Sequence, residues 1–367
     1  MTTEPLKKTP LHDLEKKAGA VFRKYAGWLI PDHFGNAEDE TRCARQAAGI
    51  IDVSCRAKIR VSGKDRASFL HGMVSNDVKK LKSGAGVYAA ILDAQARILA
   101  DLHLFCFEDS LLMDATASLT QKIITTLDKY IIMEDVTLKD VTGDYAFLGI
   151  EGPASPKLLN TLSEENLDTL TSYAHKKIKL GNFEPEIFKL SFTGSAGYYL
   201  LIEAGLASDL WGFLLKQGST WGLKPIGAAA LNTLRVEAGI PWYGLDMDEK
   251  NLLPETGLNH AISLDKGCYI GQEVVARLSS FAKVNKKLVG LEMDTDHAPK
   301  AGGEIFCDGK KIGYVTSSVF SSALNQWIGL GYAARDYAAP GTRVSVESGG
   351  QVQARVVSLP FVSCRKT

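Results

Sequence analysis

Between residues 86 and 116 the sequence reads GVYAAILD (86–93), ARILADLHLFCFE (96–108) and SLLMDAT (110–116), three apolar runs of strand length parted by polar turns. Side chains alternate along a strand, so Ile98, Ala100, Leu102, Leu104 and Cys106 share one face of the middle run, and Leu99, Asp101, His103, Phe105 and Phe107 share the other. Three adjacent strands are predicted, with Asp101 set among aromatic side chains. A carboxylate buried there without a partner has a raised pKa and can receive or orient a proton on a ring nitrogen. The plainer alternative is that Asp101 caps a turn or faces solvent, as most aspartates do.

Outward from this sheet, strands and helices are interleaved. Leu14, Ala18, Val21 and Phe22 have helical spacing, with Gly27 as a stop. A second helix is predicted over 41–48, strands over 49–53 and 57–63, a helix capped by Asp65 running to Leu70, and an amphipathic helix from Leu119 to Ile131. Beyond the strand at 145–152, Ser155-Pro156 opens a helix to Leu162. LSFTG (190–194) and YYLLIEA (198–204) then read as a hairpin, followed by helices near 207–217 and 227–237. After Lys283 the character changes to six short strands with glycine turns: KKLVGLEM, GGEIFCDG, KKIGYVTSSVF, QWIGLGYAA, GTRVSVES and GQVQARVVSLPFV. The expected division is residues 1–283, two interleaved α+β subdomains, and residues 284–367, an antiparallel β-barrel.

Composition narrows the function. A chain of 367 residues is long enough for two or three domains, and 45% hydrophobic with 23% charged residues is an ordinary globular balance. The 42 basic and 42 acidic side chains cancel, which argues against a protein that grips a nucleic-acid backbone. The polar start MTTEPLKKTPLHDLEKK and the lack of an apolar run of about 18 residues lead to the expectation of a cytoplasmic protein without a membrane span. Six cysteines without a C-x-x-C pair offer no metal cage. His71, His103 and His260 lack partners at ligand or triad spacing and read as core or surface histidines. Gly84-x-Gly86 and Gly149-x-x-Gly152 fall short of a dinucleotide fingerprint.

DKGCYIGQEVVAR (265–277) holds the most distinctive cysteine. Lys266 precedes Cys268 by two residues, and the stretch from Gly271 reads as the opening of a helix. Positive charge and a helix amino end both favour the thiolate. The alternative is a buried, inert cysteine.

KGCYIGQE resembles the signature of the YgfZ-type folate-binding branch of the glycine-cleavage T-protein (aminomethyltransferase) superfamily. TPLHDL (9–14), YAGWLIP (25–31), IIDVS (50–54), ARILADLHLF (96–105), LGIEGPAS (148–155) and LRVEAGIPWYGLDMDE (234–249) follow in superfamily order. The resemblance implies an α+β fold, a T-protein-like cloverleaf of two mixed α/β folate-binding subdomains plus a C-terminal antiparallel β-barrel. It also implies a site for tetrahydrofolate or a one-carbon derivative. T proteins carry their folate-facing carboxylate in D-D-L, matched here by Ala100-Asp101-Leu102. Asp101 and Cys268 are thereby the candidate catalytic residues, and Asp101, Arg235, Lys266, Tyr269, Gln272 and Glu273 the candidate binding residues, with no metal ligand.

The sequence departs from the T-protein pattern at two places. TGSAG (193–197) stands for TGEDG, and LNTLR (231–235) for R-D-x-L-R, keeping only the second arginine. The expected function is a tetrahydrofolate-binding protein that supports iron–sulfur cluster assembly or repair and the tRNA modification dependent on it, with assembly or client proteins as partners. The alternative is a tetrahydrofolate-dependent aminomethyltransferase served by a lipoyl carrier protein. The first reading expects Cys268 and Asp101 to open into one cavity, and whether they do is the structural feature that separates the two.

Overall fold

The computed structural model describes residues 5–281, 284–347 and 349–362. The boundary expected between residues 283 and 284 falls at residues 282–283, outside those described.

The runs at 86–116 form adjacent antiparallel strands, Gly86–Leu92, Ile98–Cys106 and Leu111–Ala115, in a five-stranded sheet completed by Ala57–Ser62 and Thr137–Asp140. Ala100, Leu102 and Leu104 enter a core with Ile59, Val61, Leu70 and Ile123, so the alternation read from sequence separates this face from the face carrying Asp101 and His103. A six-stranded sheet runs His175–Lys177, Glu186–Phe188, Gly197–Glu203, Tyr145–Glu151, Ala48–Asp52, Leu223–Pro225. Its core gathers Ile50, Leu148, Ile150, Leu200, Leu210 and Trp211. Phe105 and Leu112 of the first sheet meet Phe147, Phe188 and Tyr199 of the second, which locks the two sheets together through aromatic burial.

Lys286–Asp294, Glu304–Cys307, Lys310–Ser321, Gln326–Ala334, Arg343–Glu347 and Gln351–Val357 close into an antiparallel barrel, as the six glycine-punctuated runs predicted. Closure leaves no free strand edge. Buried polar groups join the barrel to the rest. In helix Ala228–Glu237, Arg235 pairs with Asp246 and donates to the Ser317 hydroxyl at 2.7 Å, while Glu237 accepts from Ser321 at 2.6 Å and from Arg45.

Two local expectations differ from the structure. The opening helix covers only His12–Lys17, and Val21–Tyr25 with Trp28–His33 form a β-hairpin turning on Ala26 and Gly27, both at positive φ. A two-residue turn of that kind matches strand twist, so Gly27 closes a hairpin instead of stopping a helix. In the second case, Gly197–Glu203 pairs with Glu186–Phe188 and not with 190–194. Residues 191–193 instead wrap the buried Glu151, whose carboxylate accepts from Phe192 N, Ser191 Oγ, Thr193 Oγ1 and Tyr199 Oη at 2.7–2.8 Å.

No helix among the described residues is long and apolar enough to cross a membrane.

Candidate functional site

A cavity of about 470 Å³ lies against the Asp101–His103 face of the 86–115 strands. Its size suits a small organic ligand. Tyr88, Tyr173, Phe192 and Trp242 supply flat aromatic walls, Leu288 and Leu359 come from the barrel side, and Arg56, Asp101, His103 and His260 are the ionisable groups.

Asp101 holds its place through strand register. His103 sits directly opposite Tyr88, and Asp101 is the next residue on the same face, one diagonal away. The Tyr88 hydroxyl therefore reaches Asp101 and donates to Oδ2 at 2.7 Å. Oδ1 is buried without a hydrogen-bond partner among the described residues. Burial raises the Asp101 pKa above the ordinary carboxylate value, against the opposing pull of Tyr88, Arg56 and His103. Trp242 Nε1 is likewise buried without a partner. Two residues of the cavity wall thus carry one unmet acceptor and one unmet donor, and such groups are costly unless something completes them.

Asp114 stands behind this wall, paired with the lining Arg56. Arg56 grips Asp114 in a fork, Nε to Oδ1 and Nη2 to Oδ2, both at 2.7 Å. Burial alone would raise the Asp114 pKa, yet the Arg56 charge, together with the hydrogen bonds from His103 and Arg56, brings it down to about 2. Buried Lys58 donates to Ser54 O and Arg56 O at 2.9 and 2.8 Å and so fixes the turn that carries Arg56.

Asp101 is the one residue of the sequence-derived set that lines this cavity. Arg235 is wholly buried, its guanidinium held by Asn232, Asp246, Ser317 and the Ile240 carbonyl. It reaches the cavity only through Trp242, whose ring lies 5.3 Å below the guanidinium carbon.

The expectation that Cys268 opens into the same cavity is not met, because its neighbours are spent on structure. Lys266 donates to the carbonyls of His71, Val74 and Asn76 at 2.5, 2.6 and 2.9 Å, placing a cation where helix Arg66–Met73 ends. Its ammonium is thereby committed to main-chain oxygens, and burial lowers its pKa to about 8. Tyr269 packs into a cluster with Tyr88, Met247, Leu258 and Val275. Gly271, at φ +85°, allows a close approach to the 93–96 turn, where a β carbon would sit 2.6 Å from the Asp93 carbonyl oxygen. With both flanks anchored, Cys268 is exposed outside the cavity. Gln272 and Glu273 open helix Gln272–Phe281 and do not line the cavity either.

Sequence spacing missed His103 and Asp114 as a pair. They stand eleven residues apart in sequence but directly opposite each other across the hairpin, and His103 Nδ1 lies 3.0 Å from Asp114 Oδ2. The signal was the register of the two strands, not a short motif.

A mixed sheet region joined to a closed barrel, with ionisable groups in an aromatic cavity, defines an α+β protein with a pocket of small-ligand size. Residues 11–266 match the GCVT N-terminal domain, and residues 286–363 match the glycine cleavage T-protein C-terminal barrel domain. The chain belongs to the glycine cleavage T-protein family.

An aminomethyltransferase of Caldanaerobacter subterraneus subsp. tengcongensis is 33% identical over 93% of this chain and 91% of its own. One from Shouchella clausii is 33% identical over 97% and 98%. The crystal structure of the glycine cleavage system aminomethyltransferase T from Bartonella henselae superposes with a TM-score of 0.88 at 27% identity, covering 97% of this chain and 98% of that one.

These relatives correct the function expected first. They match end to end and carry the name aminomethyltransferase, which favours the transferase alternative over a YgfZ-type protein of iron–sulfur cluster assembly and tRNA modification. No iron–sulfur partner is supported.

Proposed function

We propose that the chain is a tetrahydrofolate-dependent aminomethyltransferase that takes an aminomethyl group from the lipoyl arm of a small carrier protein and releases ammonia. The observation that carries this reading is the unpartnered Oδ1 of Asp101, buried at the wall of the aromatic cavity. A reduced pterin has a flat pyrimidine ring and several N–H donors, so it satisfies that acceptor and lies against the ring faces of Tyr88, Tyr173, Phe192 or Trp242. Tetrahydrofolate supplies the amine nitrogens that accept the one-carbon unit.

The chain's own groups then have distinct tasks. Asp101, held by Tyr88, orients a folate N–H and accepts its proton, a role helped by a pKa raised toward the working pH. The Trp242 indole donates to an acceptor on the ligand, and the barrel-side Leu288 and Leu359 help exclude water.

The test is folate-dependent release of ammonia from an aminomethylated lipoyl carrier by the purified protein. Release that requires both tetrahydrofolate and carrier is expected, and its complete absence would reject the reading. Because the sulfur lies outside the cavity, Cys268→Ser is expected to leave the rate and the unfolding midpoint near wild type, within about twofold in rate, as for surface substitutions. A severe loss would place the thiol in the reaction.

A further inference from the structure

We propose that His103, held by Asp114 and Arg56, is a second proton-transfer group of the cavity and works beside Asp101. The inference rests on the aminomethyltransferase reading and concerns how that reaction disposes of its protons.

Asp114 anchors the arrangement. Arg56 keeps it ionised through two hydrogen bonds at 2.7 Å, and an ionised carboxylate only accepts. His103 Nδ1, 3.0 Å from Asp114 Oδ2, must therefore carry a hydrogen and donate it. In a neutral imidazole that leaves the lone pair on Nε2. The ring's hydrogen bond to protein is made through Nδ1, and His103 lines the cavity. The ring is fixed in angle as well. Tyr88, Tyr173 and Phe192 surround it at centroid distances of 4.9, 5.6 and 5.7 Å. A base oriented by a carboxylate and aimed into a ligand cavity is the arrangement by which histidine takes and returns protons.

The transfer moves two protons, and two such groups on one wall let both be carried. A carbon–nitrogen and a carbon–sulfur bond break with their electron pairs leaving on nitrogen and sulfur, and two new carbon–nitrogen bonds form. Two N–H protons are released, one completing the departing amine nitrogen as ammonia and one ending on the carrier thiolate. Asp101 holds one proton at a time. His103, two residues along the same strand face and about 7 Å away by strand rise, takes the other at Nε2 and returns it to the leaving group. Asp114 steadies the imidazolium meanwhile. Arg56, Lys58 and His260 are the other basic groups near this pair, and Arg56 limits how strongly Asp114 can do so.

His103→Asn separates the roles, since its amide can still donate to Asp114 but offers no basic nitrogen. Turnover is expected to fall about 10²- to 10³-fold, with the KM for tetrahydrofolate within about threefold of wild type. Wild-type turnover in this variant would overturn the inference while leaving the transferase reading standing. No turnover in the wild-type protein would remove both. Histidine ¹⁵N NMR of the wild-type protein provides a readout independent of activity. The His103 ring is expected to be protonated at Nδ1 and bare at Nε2, and the Nε2 resonance is expected to shift when tetrahydrofolate is added. The opposite tautomer, or no shift at saturating ligand, would overturn the inference even if His103→Asn failed to fold.

Discussion

Asp101→Asn is expected to lower aminomethyl transfer about 10²- to 10⁴-fold, the range for losing a positioned acid–base group. The amide keeps the shape of the carboxyl and can still accept from Tyr88, so the cavity should persist. Its stability should move the other way. In the folded wild type the Asp101 pKa is raised above the ordinary value of 3.8, burial being the leading cause. The stability from that raised pKa is fully present below pH 3.8 and is lost as pH rises through the folded-state value. Asparagine does not ionise, so the variant should equal or exceed wild type in stability at neutral pH while losing its activity. Urea unfolding at pH 4 and pH 8, read beside single-turnover transfer rates, checks both halves. A variant that is active, or inactive only because it is unfolded, would contradict the assignment.

The second large effect concerns stability. Arg235→Met should cost about 3–5 kcal/mol, because it strips the counter-charge from Asp246, whose side chain is fully enclosed. Asp246 would keep its hydrogen bonds from Thr316 and Ser317 at 2.6 Å and from Trp242 N at 3.0 Å, but its negative charge would be uncompensated. Replacing both partners with apolar residues of similar volume should recover most of the loss, which distinguishes an unpaired charge from a simple packing defect. Chemical denaturation of the single and double variants is the measurement. A single-variant loss under about 1 kcal/mol would show that the pair does not hold the barrel to its neighbour. Since the guanidinium also lies over Trp242, the KM for tetrahydrofolate should rise in whatever fraction folds.

How far the sequence could be read depended on the range of the interaction. Alternation over 96–108 identified a strand and put Asp101 and His103 on one face, since the strand period is a property of neighbouring residues. The six barrel runs were legible for the same reason, each marked by glycine or polar turns. The hairpin expected at 190–204 was misassigned because residues 191–193 are claimed by Glu151, about forty residues earlier in the chain. KGCYIGQE looked chemical, yet the structure commits Lys266, Tyr269 and Gly271 to a helix end, a packed cluster and a close turn. Arg235 fell into the same trap: a charged residue at a motif position met its partners from within the protein.

By itself the sequence determined the strand and helix periods, the family pattern running the length of the chain and the carboxylate among aromatic residues. Only the tertiary structure decided that Arg56, His103 and Asp114 form one array, that Asp101 keeps an unmet acceptor and that Cys268 faces away. The physical reason is that local periodicity is written into consecutive residues. Which polar groups remain unsatisfied depends on what distant segments bring against them, and that is known only once the sheets, the loops and the barrel have packed.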